Sequence, residues 1–471
     1  MPNDEDYGPE NDRGDYRNRI AMLPGDPPIA YRPGRFLLDE ESFRSLTESG
    51  FFRDRGYETG PVFVTVGDDG EPTDEAPAFG QWHLVEGVAD APAVVDELLA
   101  LGLKASLDIV YFANDADCCG CPPHPALVAE IAANPWTANP WKANPWKANP
   151  WKANPWKANP WKANAESLNL LATGKAPMSS VMPAPLGAEP LRSSHQGGDP
   201  AEQVVIGVLD SGLAGGWDND DGYRPDLLGL DKPDLERISG PSDVPSAPMN
   251  GRPADKYLDP VAGHGTFIAG IIEQLTPGCT IRVERVFRPQ GDVSVATLGV
   301  TLWHLMESVD PKIVNFSFGG TGRDLMFETI IDHYHANCGV VFVGAAGNEG
   351  SCVEQYPAAL PSVIGVAALG PTGPAPWSNY GPWVDACAPG TDLVSSFFAE
   401  FDGGMPPING IDADDFDQWA TWSGTSFAAP VVVAALAREM MDGCTARQAV
   451  DRVVRAPHLA RLPYMGTIVN F

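Results

Sequence analysis

From about residue 202 onward, short uninterrupted apolar runs alternate with longer stretches of helical periodicity. VVIGVL (204–209), KIVNFSF (312–318), GVVFVGAA (339–346) and VIGVAAL (363–369) read as strands covered on both faces. Such strands, separated by helical stretches, predict an α/β fold with a doubly wound, mostly parallel sheet over 202–471. Upstream the pattern is sparser. VFVTV (62–66) and WHLVEGV (82–88) look like strands, and Asp90 can cap a following helix with Pro92 in its first turn. Val94, Val95, Leu98 and Leu99 share one face of that helix, Gly102 ends it, and LDIVYFA (107–113) follows as a buried strand. This strand–helix–strand order predicts a smaller α/β domain over 35–132.

Between the two regions the periodicity stops. Residues 133–164 repeat the pentad ANPWT/K, so Pro recurs every fifth residue. Each Pro removes a backbone donor and fixes φ, which rules out a continuous helix or a central strand and favours turns and polyproline-like steps. The pentads hold six of the 13 Trp and five of the Lys. They can serve as a tether, as multivalent ligands for an acidic surface, or as serial cleavage sites. Residues 165–201 continue as a Pro/Gly/Ser-rich linker, and the acidic, Pro/Gly-rich residues 1–34 read as a disordered tail.

Composition narrows the partners. The chain has 471 residues, 44% of them hydrophobic, and a formal net charge of −31. That charge repels nucleic acid and anionic membranes, so neither is expected as a partner. No run of some twenty apolar residues is present, and no secretory leader is visible at the acidic start, so a cytoplasmic location is expected. Eight Cys in this length are too few for a disulfide scaffold and should be mostly free thiols. The oligomeric state is open.

Chemistry concentrates at the ends of the predicted strands. VLDSG puts Asp210 at a strand tip, HGTFIAGII puts His264 at the start of an apolar helix, and GTSFAAPVVVAALA does the same for Ser426. A nucleophilic Ser needs a base, and the base needs a carboxylate to hold its tautomer. Asp, His and Ser supply that set.

VLDSG, HGTFIAG, AAGNEG and GTSFAAP, in this order, resemble the subtilisin-like serine proteases over about 202–471. The resemblance implies a serine endopeptidase working through an acyl-enzyme on a peptide or protein substrate, with no cofactor required for the chemistry. It implies Asp210, His264 and Ser426 as the triad and Asn348 as the side-chain donor to the oxyanion. NFSFGGTG is similar to the family's substrate-binding edge strand, so Ser317, Phe318 and Gly319 would pair with an extended peptide, and Gly347 and Glu349 would line the specificity pocket. Phe267 departs from the family, where a second His is common. The resemblance implies an inhibitory N-terminal prodomain for residues 35–132, a substrate- or partner-recognition domain being the alternative, and the lack of a visible leader points to a regulated, processing protease that can mature itself. The alternative is an inert scaffold on the same fold that uses its pentads for multivalent binding.

Two further clusters stand apart from the triad. Cys118, Cys119, Cys121 and His124 lie within seven residues and are candidate metal ligands, although one cluster closes a tetrahedron poorly. Asp412, Asp414, Asp415 and Asp417 precede the nucleophile motif and read as a solvated loop, a structural Ca²⁺ site or a selector of basic substrates.

Overall fold

The apolar runs become strands whose carboxyl ends point the same way. A computed structural model describes residues 20–25, 27–66, 72–73, 76–113, 181–184, 204–214, 238–239, 242–243, 261–288, 291–398, 401–402, 415–416 and 418–470. Val205–Asp210 pairs in parallel with Thr280–Arg285 on one side and with Ile313–Phe316 on the other. Val341–Ala345, Val363–Gly370, Ala386–Pro389 and Gly466–Ile468 extend the sheet outward, each parallel to its neighbour. The first strand in sequence therefore lies inside the sheet with later strands on both flanks, Ile238–Ser239 pairing in parallel beyond Thr280–Arg285. That is a topological switch point, where open α/β sheets expose a crevice at the strand ends.

Helices cover both faces, as the doubly wound reading expects. His264–Leu275 and Thr425–Met441 pack on one face, and all twelve residues of the first are buried. Contact there is close: a Cβ on Gly270 would sit 2.4 Å from Ser395 Oγ. Val295–Val309 and Leu325–His333 lie on the other face. Their outer sides meet the N-terminal region, and the buried apolar cluster runs without a break from Phe36, Leu38 and Leu98 through Leu298 and Phe327 to Phe342 of the main sheet.

The N-terminal region is an antiparallel sheet rather than a run of neighbouring strand–helix–strand units. In space the order is Glu58–Pro61, Trp82–Glu86, Ile29–Asp39 and Ala105–Phe112. Ile29–Asp39 separates the two strands that flank the Ala91–Ala100 helix. Its first half falls in the stretch expected to be disordered tail, and Ala21–Leu23 also pairs with it. Arg32 and the Pro33-Gly34 step disguise this strand. Arg32 is buried against Asp292, and a register shift between Tyr31 and Phe36 absorbs Pro33 and Gly34, the latter at φ 83°.

VFVTV also differs from expectation. Glu58–Pro61 and Thr65–Val66 form strands, while between them Phe63 is buried edge-on to Trp303, with ring centroids 5.6 Å apart. The Gln81 side chain takes the place of a strand neighbour, accepting from the Phe63 N–H at 3.1 Å and donating to its carbonyl at 2.7 Å. Part of the linker is likewise a strand, with Met182–Pro183 antiparallel to Trp419–Trp422. The pentads lie outside the described residues.

Polar contacts tie the two regions. Asp292–Ser294 adds to the N-terminal sheet as an antiparallel edge strand on Ala105–Phe112. Arg32 and Arg288 both pair with the buried Asp292 carboxylate, and Arg35 pairs with Asp108. Asp108 Oδ1 accepts from the Ala296 N–H at 3.2 Å, in the first turn of Val295–Val309. Ser106 Oγ donates to Asp324 Oδ2 at 2.7 Å, while Asp324 Oδ1 caps Leu325–His333 by accepting from the Phe327 N–H at 2.7 Å.

Burial pushes the Asp324 carboxyl up to about 7, against the opposing pull of those two hydrogen bonds and with the Asp108 charge adding to the rise. A carboxyl raised in the folded state contributes stability that is complete below its ordinary value near 3.8 and is lost as pH rises to about 7. In urea unfolding, wild type should therefore lose on the order of 2 kcal/mol more than Asp324→Asn between about pH 5 and pH 8. Equal losses would remove Asp324 from the account.

Candidate active site

Asp210 is the last residue of its strand, at the switch point, and its side chain is fully buried. Its Oδ1 accepts from the Ser211 N–H at 2.8 Å and lies 2.8 Å from His264 Nδ1. A carboxylate only accepts, so the imidazole carries its proton on Nδ1 and leaves Nε2 with a lone pair. Backbone geometry puts His264 there. Gly263 precedes it at φ 74°, where a Cβ would come within 2.1 Å of the Phe397 ring. Gly265 follows, where a Cβ would come 2.4 Å from the Gly212 carbonyl oxygen, and its N–H donates to Ser211 Oγ at 2.8 Å. Trp422 and Phe427 flank the imidazole at centroid distances of 5.3 and 5.1 Å. Phe267 belongs to this cluster, 4.6 Å from Phe427 and fully buried. Where the family often has a second His, this chain has apolar packing.

Ser426 stands at the start of Thr425–Met441. Four residues on, Pro430 lacks the N–H that would bond the Ser426 carbonyl. Ser317 Oγ takes over, donating to that carbonyl at 2.7 Å, and is itself held by Asn315 Nδ2 at 2.9 Å. Ser426 Oγ donates to the Ser317 carbonyl at 3.2 Å. Among the described residues no hydrogen bond joins it to His264, a looseness common in sites without substrate.

Asn348 ends the turn after Val341–Ala345. Its Oδ1 accepts from the N–H of Thr425 at 2.8 Å and from its Oγ1 at 3.0 Å. With the carbonyl end so engaged, the amide's Nδ2 makes no hydrogen bond among the described residues and remains a donor. Thr425 Oγ1 also accepts from the Gly347 N–H at 3.0 Å. Sequence reasoning passed over Thr425 although it stands inside GTSFAAP.

The remaining predicted residues divide. Phe318 is buried among Phe316, Phe287 and Tyr111 at centroid distances of 5.5, 5.7 and 6.2 Å, so its side chain belongs to the core. Gly347 and Glu349 adjoin Asn348. The Glu349 carboxylate is bonded by Asn379 Nδ2, and the Glu349 N–H donates to Asn379 Oδ1 at 3.2 Å, which makes the buried Asn379 a second organiser that sequence reasoning missed. Cys118, Cys119, Cys121 and His124 lie outside the described residues, as do Asp412, Asp414 and Asp417. Asp415 is exposed.

Gly319 is paired with this chain's own residues. Its carbonyl accepts from the Phe112 N–H at 2.9 Å and its N–H donates to the Phe112 carbonyl at 3.0 Å. On the opposite side, the Ala113 N–H donates to the Gly291 carbonyl at 3.0 Å. The end of LDIVYFA thus runs as a middle strand between Gly291–Ser294 and Gly319. Tyr111 fills the space over Gly320, where a Cβ would meet its ring at 2.8 Å, and its hydroxyl donates to the Gly322 carbonyl at 3.0 Å. Burial drives that hydroxyl's pKa well above the usual range. The sequence marks LDIVYFA as a buried strand but carries no sign of its partners.

The Subtilase family model matches residues 201–456. Among curated proteins, the chain is 28% identical over 275 residues to a thermostable alkaline protease of Halalkalibacterium halodurans, covering 56% of this chain and 64% of that one. To a thermophilic serine proteinase of a Bacillus species it is 31% identical over 214 residues, covering 42% and 49%. The chain thus spans about half to two thirds of the length of these relatives. A crystal structure of a cold adapted subtilisin-like serine proteinase aligns at 22% identity and a TM-score of 0.41, covering 56% of this chain and 87% of that one.

Thr425→Val keeps the shape of the side chain but removes the hydroxyl shared by Asn348 and Gly347. The expected outcome is a loss of about 1–3 kcal/mol in urea unfolding, because the Gly347 N–H is left without its acceptor. Thr425→Ser should lose less.

Proposed function

The chain belongs to the subtilase family, and from that membership we propose that it is a serine endopeptidase hydrolysing peptide bonds through an acyl-enzyme. The observation that carries this reading is the buried His264–Asp210 pair at 2.8 Å beside the helix start that bears Ser426. Ser426 Oγ turns from the Ser317 carbonyl toward His264 Nε2, gives up its proton there and attacks the substrate carbonyl. Asp210 holds the imidazole by its Nδ1–H and stabilises the imidazolium that forms. The carbonyl oxygen, now negative, receives hydrogen bonds from Asn348 Nδ2 and the Ser426 N–H, with the positive end of the Thr425–Met441 helix behind them. His264 returns the proton to the leaving amine, and a water then hydrolyses the ester by the same path in reverse.

The N-terminal domain acts in this reading as an inhibitory prodomain. Its support is the ladder from Phe112 to Gly319 and from Ala113 to Gly291, which occupies the edge where a substrate would add by β-augmentation. The enzyme is then a regulated protease that matures by cutting itself.

Incubation of the purified full-length chain should produce a drop in intact mass, after which an active-site serine probe labels Ser426. Ser426→Ala should neither lose mass nor take up probe, consistent with a rate loss on the order of a millionfold for the nucleophile. A folded wild type that keeps its mass and stays unlabelled would rule the reading out.

A further inference from the structure

The turn that carries Asn348 is clamped on both sides by a single buried residue. Gly347 and Gly350 take φ 98° and 62° in that turn, so its own backbone gives it little stiffness. Asn379, 0% exposed, supplies what the turn lacks. Ahead of Asn348, Asn379 Nδ2 donates to the Ala346 carbonyl at 2.9 Å and the Asn379 N–H donates to the Gly347 carbonyl at 3.0 Å. Beyond Asn348, Asn379 Oδ1 accepts from the Glu349 N–H at 3.2 Å and from the Ser351 N–H at 2.8 Å, and Nδ2 also donates to the Glu349 carboxylate. The pattern fixes which way round the amide lies, because its oxygen meets two donors and its nitrogen two acceptors.

Asn379 is itself anchored to the main sheet. Ser378 Oγ donates to the Asn379 carbonyl at 3.0 Å and accepts from the Ala368 N–H of Val363–Gly370 at 2.9 Å. On either side of Asn379, the Trp377 carbonyl accepts from the Gly350 N–H at 2.7 Å and the Tyr380 N–H donates to the Ser351 carbonyl at 3.0 Å. The fit leaves no slack, since a Cβ on Gly347 would lie 2.4 Å from Asn379 Nδ2. Thr425 holds the Asn348 side chain, while Asn379 holds the backbone on either side of it. All side-chain hydrogen bonds of Asn379 among the described residues go to this turn, so its effect on the reaction has to pass through Asn348.

We propose that Asn379 is a positioning residue for the oxyanion donor: by closing both arms of the Ala346–Ser351 turn it keeps Asn348 Nδ2 aimed at the place where the negative oxygen forms. The inference rests on the serine endopeptidase reading and deepens its account of catalysis. A donor contributes most when it already stands about 2.7–3.1 Å from the oxyanion's position, so that nothing has to reorganise during the reaction. A displacement on the order of 1 Å can cost about a hundredfold in rate. The neutral carbonyl of a bound substrate gains less from that donor than the oxyanion does, so freeing the turn should lower kcat and leave KM nearly unchanged.

The test is a double-mutant cycle of Asn379→Ala and Asn348→Ala in the full-length chain. It is read as hydrolysis of p-nitrophenyl acetate above the Ser426→Ala background, between chains of equal intact mass whose folding is confirmed by urea unfolding. Asn348→Ala should lower kcat about a hundred- to a thousandfold. Asn379→Ala should lower it at least about tenfold with KM within about twofold, and should add no more than about threefold in the Asn348→Ala background. Asn379→Asp, close in shape but without the Nδ2 donor, runs the same cycle and decides it if Asn379→Ala does not fold. A folded variant with kcat unchanged, a loss that falls on KM, or losses that multiply in the double variant would overturn this inference alone, because Asn379 would then support the fold without aiming the donor. A wild type that neither hydrolyses the ester nor takes up a serine probe at Ser426 overturns the endopeptidase reading with it.

Discussion

Parallel pairing on both flanks of Val205–Asp210 is the constraint on which the site depends. Parallel strands deliver all their carboxyl ends to one edge, so segments far apart in sequence open onto the same crevice. Asp210 arrives there with its charge buried, a position that is tenable only with donors at hand. The Ser211 N–H and His264 Nδ1 supply them. Glycines on either side of His264 are required because Phe397 and the Gly212 carbonyl leave no room for a Cβ. Asn348 follows from the same edge, since it comes at the turn just beyond Val341–Ala345 of this sheet, whereas Ser426 is brought there by a helix that follows Trp419–Trp422, a strand of a separate antiparallel sheet.

A second dependency links the N-terminal sheet to that edge. Asp292–Ser294 serves as a strand of the N-terminal sheet and leads directly into Val295–Val309, which packs on the main sheet. Its Asp292 gathers Arg32 and Arg288, and Asp108 and Asp324 meet the first turns of the two helices beneath. The N-terminal sheet thus supplies the acceptor for one helix start of the larger region through Asp108 and a donor to the cap of the other through Ser106.

What the sequence made legible was local. Asp210 at a strand tip and His264 and Ser426 at helix starts can be read because glycines and apolar periodicity surround each of them. The Ala91–Ala100 helix is equally plain from Asp90, Pro92 and Gly102, and Asp90 does cap it, accepting from the Ala93 N–H at 3.2 Å. Thr425 and Asn379 were not legible, because their importance arises from partners brought near only by folding: Asn348 and Thr425 are 77 residues apart, and Asn379 and Glu349 are 30 apart. Ile29–Asp39 was hidden for the opposite reason. Its buried Arg32 and its Pro-Gly step look like loop until Asp292, 260 residues away, supplies the countercharge.

The ladder between Phe112 and Gly319 has a consequence for dose. Ninety residues separate Ala113 from Val204, and while that connection is intact the N-terminal sheet meets its edge at an effective concentration set by the length and stiffness of the connection, however dilute the solution. Once the connection is cut, the same hydrogen bonds and the same core must hold two molecules together, and the translational freedom of the second enters the balance. Occupancy of the edge then obeys mass action. A crowded compartment and a dilute one would leave the severed protein in different states, with no change in a single contact.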